Sequence, residues 1–192
     1  MHRRIVSQIH ASQSYISLED VKAHLRVVNT DEDAYIAALL DVAFDAVEQH
    51  LTYPVRLTRV QYTAYSWTGS VFIPGRFQAL DTIKYYTDPA NVLTTMAGTE
   101  YATQIRETGF YLEWINDTTL PDTYEDRLDG VQYNLQAGWV PGDLPASIRQ
   151  AVLLNIGDYY EERKNSIIGT IETNLSRGSE FLLKPYLIPI FV

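Results

Sequence analysis

The chain has 192 residues, of which 46% are hydrophobic, 12% aromatic and 20% charged. That composition excludes a disordered or collagen-like chain and suits one domain, or one domain with a sizeable insertion. There is no cysteine, which excludes disulfide scaffolds, thiolate zinc sites, iron–sulfur clusters and cysteine nucleophiles. The formal net charge of −9 argues against bulk attraction to nucleic acid, which needs a dense basic footprint. No apolar run approaches the roughly 20 residues that span a bilayer. Met1-His2-Arg3-Arg4 is basic, but no apolar signal core follows it, so a soluble intracellular protein with no membrane partner is expected.

Residues 1–16 show no clear period and are expected to be an arm or a strand. Ser17-Leu18-Glu19-Asp20 opens a helix with Ser17 as N-cap, and Leu18, Val21 and Leu25 fall on one face before an end near Val28. Thr30-Asp31-Glu32-Asp33 puts acids in the first turn of a second helix over about 32–51. Its apolar stripe is Ile36, Leu39, Leu40, Ala43, Val47 and Leu51.

Residues 55–140 are rich in Thr, Tyr, Val and Trp with repeated Gly and Pro, a strand-and-turn composition. Strands are expected at 55–67, 71–73, 82–87, 101–106, 110–115 and 131–138. Trp67-Thr68-Gly69-Ser70 and Glu107-Thr108-Gly109 read as hairpin turns, and 117–129 as an acidic loop. A third helix follows the Pro141-Gly142 breaker, with Asp143 as cap and Pro145 in its first turn. Ile148, Val152, Ile156, Tyr159 and Tyr160 line one face, and 161–164 closes it. Residues 165–180 are polar, and two prolines in the apolar final twelve residues forbid a long helix there.

Three stretches carry a resemblance. The first is Leu18–Arg26, with Leu18, Lys22, Leu25 and Arg26 in an "L-x-x-x-K-x-x-L-R" pattern, followed by the acidic turn Asp31-Glu32-Asp33 and the helix Leu39–Leu51. The second is Pro145, Ile148, Ala151, then Tyr160-Glu161 and Arg163 as "Y-E-x-R". The third is Leu182-Leu183-Lys184-Pro185-Tyr186. In order and separation these resemble the tailed-bacteriophage head–tail connector (adaptor, head-completion) family. The resemblance implies a structural virion protein, made in the host cytoplasm and placed in the neck. It would form a homo-oligomeric ring, commonly of twelve subunits, beneath the portal protein. The ring would join the head to a stopper or tail-terminator protein and leave a channel through which DNA passes without specific binding.

Two constellations bear on that role. No Lys or Arg lies between Arg26 and Arg56, and Asp41, Asp45 and Glu48 share one helix face at i, i+4, i+7. They read either as a solvated face or as acids lining the channel, where like-charge repulsion lets DNA slide. In the tail, Phe181, Leu182, Leu183, Pro185, Tyr186, Leu187, Ile188, Ile190, Phe191 and Val192 are too apolar to stay in water at no cost. They read either as packing on their own subunit or as docking, in extended form, on a neighbour or the portal. His2, Arg3 and Arg4 read as a frayed start or as a contact to DNA or a partner.

Catalysis finds no support. His2, His10, His24 and His50 lack metal-ligand spacing, no serine sits in a nucleophile elbow, and no glycine loop cradles phosphate. No catalytic residue, metal site or cofactor is expected. The middle aromatics (Tyr62, Tyr65, Trp67, Tyr85, Tyr86, Tyr111, Trp114, Tyr133 and Trp139) suit core packing or subunit contacts better than a sugar platform.

The expected fold is α+β: a helical connector body from 17–54 and 143–180, a β-rich insertion over 55–142, an arm at 1–16 and an extended C-terminal docking tail at 181–192. The alternatives are another neck component, a stopper or tail-completion protein, or a monomeric binding module using the aromatic β-region.

Overall fold

A computed structural model describes residues 2–106, 108–115, 119–124, 126–162 and 176–188. Among these the fold is α+β, with four helices and two antiparallel sheets. The chain divides into two compact units, each built from two separated stretches: residues 1–9 with 57–139, and residues 10–56 with 140–192.

The first unit holds the sheets. One has five strands in the order β1 (His2–Gln8), β2 (Thr58–Ala64), β8 (Val131–Ala137), β4 (Phe77–Tyr86) and β5 (Leu93–Thr95). The other has three, in the order β3 (Ser70–Pro74), β7 (Gly109–Trp114) and β6 (Tyr101–Arg106). Alternation decides which side chains go inward. Val60 and Tyr62 of β2, Val71 and Ile73 of β3, Phe110 and Leu112 of β7, and Val131, Tyr133 and Leu135 of β8 share one core.

The turn expected at Trp67–Ser70 is not a hairpin. β2 pairs with β1 and β8, whereas β3 pairs with β7, so this stretch carries the chain from one sheet to the other. The tryptophans explain the switch. Trp67 packs edge-on against Trp114 of β7 at 5.2 Å, and the Trp114 indole N–H donates to the Thr68 carbonyl at 2.8 Å. The hairpin expected after Arg106 joins β6 to β7, although Glu107 itself lies outside the described residues. β5 leaves no signal in the sequence, because three residues are too short to show a period.

Tyr133 sits at the centre of β8, fully buried, and its hydroxyl finds no hydrogen-bond partner among the described residues. Burial pushes its ionisation far above the usual phenol range. A buried hydroxyl without a partner costs about 1 kcal/mol or more. Tyr133→Phe should therefore leave stability unchanged or raise it by about 1 kcal/mol in urea unfolding. A clear loss would mean that the hydroxyl is satisfied.

The second unit holds the helices. α1 (Leu18–Leu25) starts as expected, with the Ser17 hydroxyl accepting from the Asp20 N–H at 3.1 Å. It stops three residues before Val28. Arg26 turns left-handed at φ 59°, and the Val27 N–H closes onto the Lys22 carbonyl, a helix stop usually served by glycine. α2 (Asp33–Leu51) buries Ile36, Leu40, Ala43, Phe44, Ala46, Val47 and Leu51, while Leu39 stays half-exposed.

α3 (Ala146–Glu161) is capped by Pro145 rather than Asp143. Leu144 precedes a proline, which disfavours helical angles there, and the helix begins after Pro145. The C-terminal stretch is not extended where it is described. α4 (Arg177–Leu183) runs into a 3-10 turn at Lys184–Tyr186. Its first proline, Pro185, falls in that turn, so the prolines permit one short helix before it.

Candidate docking surfaces and the acidic helix face

The acidic face of α2 is organised by one cation. Arg56 follows the helix and buries its side chain to 7% exposure. Its guanidinium donates to Glu48 through both Nε, at 3.1 Å, and Nη2, at 2.9 Å, and also to Asp45 and to the Ser12 hydroxyl. Asp41 lies 3.8 Å from the same group. The ring of Phe44 lies beneath it, 5.3 Å from guanidinium carbon to centroid. Glu48 also accepts the backbone N–H groups of Val55 and Arg56, at 3.0 and 2.8 Å. Burial alone would weaken the Arg56 proton affinity, but the hydrogen bonds and charges of Glu48, then Asp45, raise it above its ordinary value.

The three acids expected on this face are thus brought together, and they differ. The Glu48 carboxylate is mostly covered and fixes the exit of the chain from α2. Asp41 and Asp45 keep 63% and 70% of their side chains in water. Arg56 is the residue of this cluster that spacing alone did not single out. Its signal was present: it is the first Lys or Arg after a 29-residue gap, and it stands eight residues past Glu48.

The tail residues also divide. α4 packs on α3 through Ser179, whose hydroxyl donates to the Ala151 carbonyl at 2.9 Å in a buried contact. Leu183 is fully buried. The Tyr186 hydroxyl bonds the Ser147 hydroxyl at 2.9 Å, and its carbonyl accepts from the Tyr53 hydroxyl at 2.8 Å. These residues pack within their own unit, as an apolar terminal segment does when its side chains find cover. Leu182 and Ile188 are half-buried, Pro185 is exposed, and Phe181 and Leu187 stand 76% and 45% exposed. Ile190, Phe191 and Val192 lie outside the described residues.

The family model for the phage gp6-like head–tail connector proteins matches residues 15–132, more than half of the chain. The chain belongs to the phage gp6-like head–tail connector family. The matched stretch runs from the turn before α1 to the start of β8. Solved structures share the fold of this connector over its whole length. A chain of the virion of a native gene transfer agent particle superposes with a TM-score of 0.76 at 20% identity, covering 100% of this chain and 98% of that one. A chain from the neck of the native particle, computed with C12 symmetry, gives 0.74 at 16%, and one from the neck of the empty particle, computed with C6 symmetry, gives 0.73 at 19%, both with the same coverage. No curated protein matches the connector. No described helix is long and apolar enough to cross a membrane.

Proposed function

We propose that this connector is a structural component of the neck of a phage-like particle, where copies form a ring that joins the head to the tail. The observation that carries the reading is the match of fold along the entire chain to neck chains of a particle treated with twelve-fold symmetry, in a chain whose family is that of head–tail connectors. The ring has twelve subunits, and helix faces of the second unit pack between neighbours, since a head-to-tail contact closes when its rotation fits. Its neighbours are the portal protein on one side and a stopper or terminator on the other. The role is assembly, with no chemistry on a substrate.

The exposed apolar side chains of the tail, Phe181 and Leu187 with Leu182 and Ile188, dock on the portal, helped by residues 190–192. Leu183 and Tyr186 hold that segment to its own subunit. Asp41 and Asp45 face the bore and keep it from adhering to DNA. The connector should sediment with purified portal as a defined ring. Phe181→Asp with Leu187→Asp should weaken that association at least tenfold at unchanged thermal stability, because each buried apolar side chain is worth ~1.5–3 kcal/mol. A connector that ignores portal in every form would discard the neck role. Normal portal binding by the double variant would discard the tail's part in it.

A further inference from the structure

Strand β1 supports the edge of the five-stranded sheet without burying any of its seven residues. Ile5 is 60% exposed and Val6 is 55% exposed, although both are β-branched apolar residues that strands ordinarily turn toward a core. Val6 stands at a register shift between Ile5 and Ser7, where β2 offers it no partner. The strand also carries His2, Arg3 and Arg4 and no acid, in a chain of formal charge −9. The helical unit, by contrast, has eight Lys and Arg against fourteen Asp and Glu.

We infer that β1 is a contact surface between copies of this chain, on which Ile5 and Val6 pack against a second copy and Arg4 pairs with an acid of that copy beside them. The inference rests on the ring reading above and adds a strand surface of the first unit to the helix faces that pack between neighbours. Three observations select the occupant. The apolar pair needs a surface that excludes water, which a phosphate backbone does not provide. Two arginines are few for DNA, and Arg3 is already engaged by the Tyr62 hydroxyl. A second copy supplies the acid in excess, so opposite charges meet and the mismatch orients the pair head-to-tail. The bulge and the arginines at an open edge also oppose simple strand addition, so the contact runs through side chains rather than a shared ladder.

The absence of cysteine makes the test direct. Full-length Val6→Cys, its single thiol carrying a photoreactive label, is assembled with purified portal and irradiated with and without DNA. The expected product is a covalent pair of connector chains, formed only in assembled rings and mapped to acidic stretches of the second chain. Rings that form while the label reacts only within its own chain, with portal or with DNA would overturn the inference and leave the ring reading intact. Failure of the unmodified connector to form a ring with portal would overturn both. As a second measure, Arg4→Glu with Val6→Asp should raise the concentration needed for assembly at least tenfold at unchanged circular dichroism and melting temperature. Assembly at the wild-type concentration would refute the contact.

Discussion

Arg56→Ala should destabilise the connector by about 3 kcal/mol in urea or guanidinium unfolding, the cost of removing one partner from a buried ion pair. The loss has several sources. Glu48 keeps its two backbone donors, Val55 and Arg56, but loses the guanidinium that neutralises it in a mostly covered site. The Ser12 hydroxyl loses a buried donor, and the ring of Phe44 loses the cation above it. Asp41, Asp45 and Glu48 are then left as like charges along one helix face. Arg56→Lys should recover only part of the loss, because an ammonium cannot reproduce the forked contact. Asp45→Ala should cost about 0–1 kcal/mol, since its side chain is largely in water and the pair is screened. An Arg56→Ala variant as stable as the parent would show that the cluster carries no stability.

Gly130→Ala should be nearly as damaging for the β unit, at about 2–3 kcal/mol, the upper range for forcing atoms into a filled site. A methyl group there would lie 2.3 Å from the Tyr65 carbonyl oxygen and 3.4 Å from its carbonyl carbon, backbone atoms that no rotamer change can clear. Tyr65 directly follows β2, and Gly130 directly precedes β8, so relief of the clash must pry apart the end of the β2–β8 ladder at Ala64 and Val131. The Gly130 carbonyl also accepts the Tyr86 N–H at 2.9 Å, which ties the same point to β4. Gly69→Ala is the control. Nothing lies within 4 Å of its added methyl group, and its effect should stay within about 0.5 kcal/mol. Equal melting temperatures for the two variants would contradict this account.

Helices were the most legible part of the sequence, because caps and 3.6-residue periods are local. Ser17 caps α1 and Leu51 ends α2 where the pattern places them. Misplaced ends trace to single-residue geometry: the left-handed Arg26 and the restriction that Pro145 imposes on Leu144. Strand positions were readable from β-branched and aromatic runs, but pairing was not. Nothing near Trp67 in the chain tells it to meet Trp114, and that distant contact sends β3 into another sheet. The resemblance at the two ends located the family. It did not distinguish buried Leu183 from exposed Phe181, which the same apolar composition presents alike. Charge order exposed the acidic run, yet the hub at Arg56 needed the chain reversal after α2 that brings it back over Glu48.

The interleaved make-up of the two units bears on how the polypeptide reaches its native state. α2 packs against α3, whose first residue follows the last of α2 by almost a hundred positions, with the strands of the other unit between them. During synthesis the apolar stripe of α2 emerges long before its cover. The intervening strands must close first, or a long flexible loop must be spanned at an entropic cost that grows slowly with length. Separations of this size slow the search for native contacts. A nascent chain halted after β8 would therefore present a sticky helix and a nearly finished β unit, the state in which a chaperone has most to do.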